Sequence, residues 1–244
     1  MKNILLLGAT GSIGDSVLSV IKQNKQQLNL FGIALNSNIS KATSIIDNHN
    51  PSYVYLDSKA SFSDFQNSSI ANTRVQILHE KVELEELINH KDVDIIVSAI
   101  SGFAGLKPTI MAAKSGKVIL LANKESVVVA GDILLPLAKD HNTTIIPIDS
   151  EHNAIFQCLG KNYECFKKPD NVNKIILTAS GGPFRDATLD EMKTATIAQA
   201  LNHPNWKMGK KITIDSATMM NKGLEVLEAH WLFNLGNHAS AVLV

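Results

Sequence analysis

The chain is poor in several things that would each have named a function class. It has two arginines, Arg74 and Arg185, and its remaining basic residues are lysines. Lys and Arg together number 23 and Asp and Glu also 23, so the formal net charge is +0. That balance argues against a nucleic-acid binder held by bulk charge. There are two cysteines, Cys158 and Cys165, without metal-motif or redox-motif spacing, so a reduced cytoplasmic protein is expected. No apolar run is long enough to cross a bilayer, and no membrane partner is expected. Met1 to Gly8 leads straight into a strand, which leaves no room there for a signal or transit peptide. Internal repeats and low-complexity tracts are missing as well. What is present is 244 residues, 45% hydrophobic and 19% charged, enough for a sizeable core in one large domain or two smaller ones.

The first half alternates strand and helix patterns. Asn3 to Leu7 is a short apolar strand, followed at once by Gly8-Ala9-Thr10-Gly11-Ser12-Ile13-Gly14. Ile13, Val17, Val20 and Ile21 then recur at helical spacing. A strand, a glycine-rich turn and a helix form a dinucleotide-binding arrangement, in which turn amides and the helix N-terminus receive a pyrophosphate. A tight turn without a ligand is the plainer alternative. Leu28 to Leu35 reads as the second strand. It ends in Asn36-Ser37-Asn38 and lacks the acidic residue of an NAD-preferring site, so NADP is favoured. Lys41 either neutralises a 2′-phosphate or is a solvated surface lysine. Further strands are expected near residues 52–56, 74–78, 93–99, 117–122 and 143–148. Helices are expected near 41–49, 82–89, 105–115 and 127–140. Such alternation implies a mainly parallel sheet covered on both faces, with ligands beyond the carboxyl ends of the strands. Asn123-Lys124-Glu125-Ser126 lies at one of those ends, and Ser126 also suits an N-cap for the helix at Val127.

Asp149-Ser150-Glu151 follows the last of these strands, and Asn153 to Leu159 reads as a helix start. On an extended backbone Asp149 and Glu151 point to the same side. Two carboxylates held together need a cation or a shared proton, and hard divalent ions take such oxygen ligands. A solvated acidic turn is the alternative. The strand–helix rhythm then loosens. Lys174 to Leu177 is a strand ending in Thr178-Ala179-Ser180-Gly181-Gly182-Pro183, a turn whose amides suit an anion. Leu201 to Lys211 carries His203, Trp206, Met208 and Gly209 on a punctuated loop, which suits a lid or a loop pinned by Trp206. Ile212 to Asp215 reads as a strand. In the helix that follows, Leu224, Leu227 and Trp231, with Val226 beside them, form the expected buried face. Asn221 and Glu225 are four apart and so share a face, beside Lys222.

Taken together, residues 8–14, 121–126, 149–157, 180–185, 203–209 and 216–233 resemble the 1-deoxy-D-xylulose 5-phosphate reductoisomerase family. The resemblance implies an α/β protein with a Rossmann-like, mainly parallel NADPH-binding domain over 1–149 and a second α/β (α+β) catalytic domain over 150–244. It implies rearrangement of a ketopentose phosphate and hydride reduction of the resulting aldehyde, a step of non-mevalonate isoprenoid synthesis. By motif position, Asp149, Glu151 and Glu225 would ligate Mg²⁺ or Mn²⁺, a Lewis acid for the substrate. Lys124, Glu151 and His203 would be catalytic. Substrate would be bound by Lys124, Ser150, Glu151, Ser180, His203, Ser216, Asn221, Lys222 and Glu225. NADPH would contact Thr10, Gly11, Ser12, Ile13, Asn36, Ser37, Asn38, Asn123, Glu125 and Gly209. Trp206 and Met208 would belong to a closing flap. A homodimer acting on a small phosphorylated substrate is the implied assembly. Family members often carry a glycine and a basic residue where this chain has Asn36 and Ser37. Family chains also continue beyond Ala241–Val244, which reads as the start of a strand, so a longer parent protein is expected. A simple NADP-dependent dehydrogenase of another phosphorylated aldehyde or ketone, or a cofactor-binding module without turnover, are the competing readings.

Overall fold

The computed structural model describes residues 1–67, 75–205, 208–234 and 240–244. Residues Met1–Ile148 and Asp149–Val244 form two compact units. Among the described residues the first contains a seven-stranded sheet. Its strands are β1 (Lys2–Leu7), β2 (Leu28–Leu35), β3 (Tyr53–Leu56), β4 (Gln76–Leu78), β5 (Ile95–Ser98), β6 (Val118–Leu121) and β7 (Thr144–Pro147). They lie in the order β4-β3-β2-β1-β5-β6-β7, and every pairing is parallel. Between them run α1 (Ser12–Gln23), α2 (Ile39–His49), α3 (Lys59–Gln66), α4 (Lys81–Asn89), α5 (Leu106–Ala113) and α6 (Lys124–Asp140). Leu5, Leu6 and Leu7 are wholly buried, as expected of a parallel strand covered on both faces. Chain order runs outward from β1 through β4, then restarts at β5 on the other side of β1. That reversal leaves a crevice outside the carboxyl ends of β1 and β5.

Several boundaries differ from the sequence expectations. Arg74, assigned above to a strand, lies outside the described residues. Helix α6 begins at Lys124 rather than Val127, because Asn123 caps it by accepting the Ser126 amide at 2.8 Å. Ser126 is therefore inside the helix, not its cap. Helix α3, unread in the sequence, is short and capped by Ser58.

The second unit holds α7 (Ser150–Cys158), β8 (Ile175–Thr178), α8 (Leu189–Lys193), α9 (Ile197–Ala200), α10 (Lys210–Ala217), α11 (Met220–Phe233) and β9 (Ser240–Leu243). β8 and β9 pair in parallel. Ile175, Leu177, Ala229, Leu232, Phe233 and Cys165 form its core. Ile212 to Asp215 is not a strand but the middle of α10. Thr213 donates its hydroxyl to the Gly209 carbonyl at 2.9 Å, a bond made one helical turn back, and tertiary context overrides the β-branched run. Helix α7 starts at Ser150, not Asn153, so Glu151 is helical rather than extended. The buried face of α11 comprises Lys222, Glu225, Glu228, Ala229, Leu232 and Phe233, whereas Leu227 is exposed. Among the described residues no helix is long and apolar enough to cross a membrane.

Candidate active site

In the first unit, a cleft of about 320 Å³ is lined by Gly8, Thr10, Gly11, Asn36, Tyr55 and Asp57, among others. Two glycines shape it. Gly8 has φ +89°, and a Cβ there would stand 2.5 Å from the Ala99 carbonyl. At Gly14 a Cβ would meet the Ala9 oxygen at 2.5 Å, so α1 packs on the turn only without a side chain. Gly11 occupies the N-cap of α1, with Ser12 and Ile13 in the first turn. A helix N-terminus offering backbone amides to a cleft at a strand-order reversal fits a dinucleotide's pyrophosphate. Asn36 lines the cleft. Ser37 accepts the Ser61 hydroxyl on its carbonyl at 3.4 Å, and Asn38 caps α2 by accepting the Lys41 amide at 3.0 Å. The Lys41 ammonium donates to the Thr10 carbonyl at 3.1 Å and lies 2.7 Å from Asp15, which ties α2 to the glycine turn.

At the carboxyl end of β6, Asn123 serves as a strut. Its amide donates to the Ile100 and Gly102 carbonyls at 2.6 and 3.0 Å and to Glu125 at 3.1 Å. Lys124 is 5% exposed.

The second unit gathers most of the remaining candidates. Carboxylate oxygens of Asp149, Glu151 and Glu225 lie within 4.8 Å of one another. Asp149 is at the N-cap of α7, Glu151 in its first turn, and Glu225 on the buried side of α11. The donors are all oxygens, a set that fits Mg²⁺ or Mn²⁺. The Lys222 ammonium bonds Glu151 at 2.9 Å and also Glu225, offsetting the mutual repulsion. Asn221 donates its amide to Glu225, as its position one turn earlier allows. Ser150 donates to Glu151 at 2.6 Å. Burial alone would raise the Glu151 carboxyl, but the Ser150 and Lys222 hydrogen bonds outweigh it and hold the group below its ordinary value.

Glu151, Ser180, Ser216, Asn221 and Lys222 frame a small cavity of about 30 Å³. Gly182, at φ +69°, lets the 180–182 turn approach α10, where a Cβ would meet the Ser216 carbonyl at 2.5 Å. His203 Nε2 lies 3.1 Å from the Ser180 hydroxyl. Gly209 is the N-cap of α10 and so belongs to this unit, whereas Thr10, Asn36 and Asn123 belong to the other. Trp206, assigned above to a flap, lies outside the described residues.

Two residues of this centre were not singled out from the sequence. His152 and Glu228 are both wholly buried. His152 Nε2 is 2.9 Å from the Glu225 carbonyl, and its Nδ1 is 3.2 Å from Glu228 and 3.5 Å from Asp149. Burial would lower the imidazole's pKa, but the adjacent Asp149 and Glu228 carboxylates and the Glu225 carbonyl together raise it. The available signal was spacing: Asp149 and His152, like Glu225 and Glu228, are three apart, one helical turn.

Residues 4–131 match the family model described as 1-deoxy-D-xylulose 5-phosphate reductoisomerase, and residues 145–233 match the model of that enzyme's C-terminal domain. The chain is 48% identical to the 1-deoxy-D-xylulose 5-phosphate reductoisomerase of Clostridium acetobutylicum, over 100% of this chain and 62% of that protein. Its counterpart from Francisella tularensis subsp. novicida is 47% identical, over 99% and 61%. A crystal structure of DOX-P reductoisomerase in complex with NADPH, fosmidomycin and magnesium superposes with a TM-score of 0.92 at 42% identity, over 99% of this chain and 60% of that one. The Zymomonas mobilis enzyme in complex with NADPH gives 0.86 at 38% identity, over 99% and 60%. The chain thus spans about three-fifths of the length of these relatives.

Proposed function

Since this chain belongs to the 1-deoxy-D-xylulose 5-phosphate reductoisomerase family, we propose that the protein carrying it converts 1-deoxy-D-xylulose 5-phosphate to 2-C-methyl-D-erythritol 4-phosphate, a step of non-mevalonate isoprenoid synthesis. The observation that carries the reading is the convergence of Asp149, Glu151 and Glu225, drawn from two helices more than 70 positions apart in the chain, onto one point. When bound, a divalent ion supplies a Lewis acid for the substrate's carbonyl and neighbouring hydroxyl, and NADPH supplies the hydride. The chain's own residues bind, orient and neutralise. Asp149, Glu151 and Glu225 hold the ion. Ser180, His203, Ser216, Asn221 and Lys222 bind the phosphate and hydroxyl groups of the pentose, with Ser150 and Glu151 beside them. Although burial opposes it, the Ser150 and Lys222 hydrogen bonds hold the Glu151 carboxyl below its ordinary value, which favours the ionised form a ligand needs.

In the first unit, residues 10–13 receive the pyrophosphate on the amides at the start of α1, and Asn36 to Asn38 take the adenosine ribose. Asn123 and Glu125 brace the β6 end, which carries Lys124; in the second unit, Gly209 starts α10. The units correspond to a cofactor domain and a catalytic domain, and the working assembly is a homodimer.

The test is NADPH oxidation followed by absorbance with 1-deoxy-D-xylulose 5-phosphate, with and without Mn²⁺, on the protein carrying this sequence. Oxidation should require both, and Glu225→Gln should lower it on the order of a hundredfold or more, because a polarising cation contributes several kcal/mol. Turnover that survives Asp149→Asn, Glu151→Gln and Glu225→Gln would instead indicate a metal-free dehydrogenase.

A further inference from the structure

Glu228 is a carboxylate with no exposure to water, on the buried face of α11 one turn beyond Glu225. A buried charge is costly unless it is paired. Its neighbour is the equally buried His152, one turn beyond Asp149 on α7. His152 in turn reaches both helices: Nδ1 faces Glu228 at 3.2 Å and Asp149 at 3.5 Å, while Nε2 donates to the Glu225 main-chain carbonyl at 2.9 Å. One imidazole thus touches the side chain of one carboxylate of the three-carboxylate cluster and the backbone of another. Two sets of mutually close groups share Asp149: one with Glu151 and Glu225, the other with His152 and Glu228. Glu228 belongs only to the second set.

We infer that Glu228 is a positioning residue for the divalent-ion site: it holds His152, and His152 fixes the Asp149 carboxylate and the Glu225 backbone so that the three carboxylates stay convergent. This rests on the reading of Asp149, Glu151 and Glu225 as ion ligands. Groups that orient ligands in this way typically contribute 10- to 100-fold in metal affinity. The paired one-turn spacing makes the device local to each helix. Asp149 and His152 rise together from α7, and Glu225 and Glu228 from α11, so a single contact between the second members sets the distance between the first.

The experiment is a Mn²⁺ titration read by electron paramagnetic resonance, which counts free ion and needs no turnover. It uses the whole protein, unaltered and as Glu228→Gln, His152→Gln and the double variant. Glu228→Gln should weaken Mn²⁺ binding about tenfold or more, and the double variant should bind no worse than the weaker single, because the two residues act in series. NADPH affinity serves as the control and should stay within about twofold of the unaltered protein. Two results overturn the inference. One is Mn²⁺ affinity within about twofold of the unaltered protein in Glu228→Gln. The other is losses that multiply in the double variant, which would make Glu228 a ligand in its own right. Should Glu228→Gln not fold, Glu228→Asp keeps the charge but withdraws it from His152, and the same thresholds apply. An unaltered protein that binds no Mn²⁺ would overturn the ion site itself and this inference with it, a failure distinct from the other two.

Discussion

Asn36, Ser37 and Asn38 bring no charge to the end of β2, and the first cation after them in the chain is Lys41. Its ammonium already touches the glycine turn through the Thr10 carbonyl and is shared with Asp15. A partly exposed ion pair of this kind contributes about 0–1 kcal/mol to stability, so removing it should leave the fold intact. Lys41→Ala should weaken NADPH binding about tenfold while leaving NADH unchanged, if the lysine serves the 2′-phosphate through a charge-assisted contact. Nucleotide fluorescence titrations check it, and an unchanged NADPH-to-NADH ratio would count against it. Cys158 is exposed and Cys165 buried. Burial first, then the Glu228 charge, pushes the Cys165 thiol up to about 12. The folded state therefore holds that proton more tightly than the unfolded chain. The resulting stability is fully present below the unfolded thiol's value of roughly 8.5 and is lost as pH rises from there toward the folded value. Ellman's reagent at mildly alkaline pH should modify Cys158 alone until denaturant is added. How far such residues were legible depended on distance in the chain. Asn221 and Glu225 could be set on one face from spacing, and Asp149 beside Glu151 from adjacency. The link from His152 to Glu228 spans two helices, one of which begins three residues earlier than its apolar pattern suggests, so no local pattern carried it.

At the scale of elements, α11 separates apolar pattern from burial. Leu227 is 52% exposed and Leu232 wholly buried in the second unit's core. Leu232→Ala should cost about 2–5 kcal/mol, as large-to-small core changes do, while Leu227→Ala should stay within about 0.5 kcal/mol; urea unfolding compares them. Asn123 caps α6 and ties the β6 end to the Ile100 and Gly102 carbonyls. Asn123→Ala removes a cap and leaves two partly buried carbonyls without that donor, so about 2–3 kcal/mol should be lost. The strands of the first unit were legible because a parallel sheet buried on both faces writes continuous apolar runs between glycine and polar turns. The second unit was less so. Its helix α11 buries Lys222, Glu225 and Glu228, charged residues that a hydrophobic-periodicity reading assigns to the surface. Ile212-Thr213-Ile214 carries strand-like composition, yet the chain is helical from Lys210 onward, with Gly209 at the N-cap and the Thr213 back-bond closing the first turn of α10. Helices α8 and α9 are five and four residues long and end-capped by Thr188–Glu191 and Thr196–Gln199 boxes, too short to show a period.

For the whole molecule, each unit has its own buried cluster, one around Leu6, Ile33, Leu56 and Val97, the other around Leu177, Leu232 and Phe233. Every residue assigned to the ion lies in the second, and the glycine turn assigned to the pyrophosphate lies in the first. Binding to a folded unit stabilises that unit by roughly 2.7 kcal/mol at a ligand concentration of a hundred times Kd. The two ligands should therefore act on separate parts of a thermal unfolding trace, NADPH shifting the first unit and Mn²⁺ the second. Gly14→Ala makes the separation testable, because its added Cβ would stand 2.5 Å from the Ala9 carbonyl oxygen and force α1 off the turn. NADPH binding should fall more than about tenfold, in line with a close helix–strand contact that only glycine allows, while the Mn²⁺ titration stays as in the unaltered protein. Glu225→Gln should do the reverse. If Gly14→Ala also abolished Mn²⁺ binding, the carboxylate cluster would depend on the first unit's integrity, and the second unit's own core would be insufficient to hold α7 against α11.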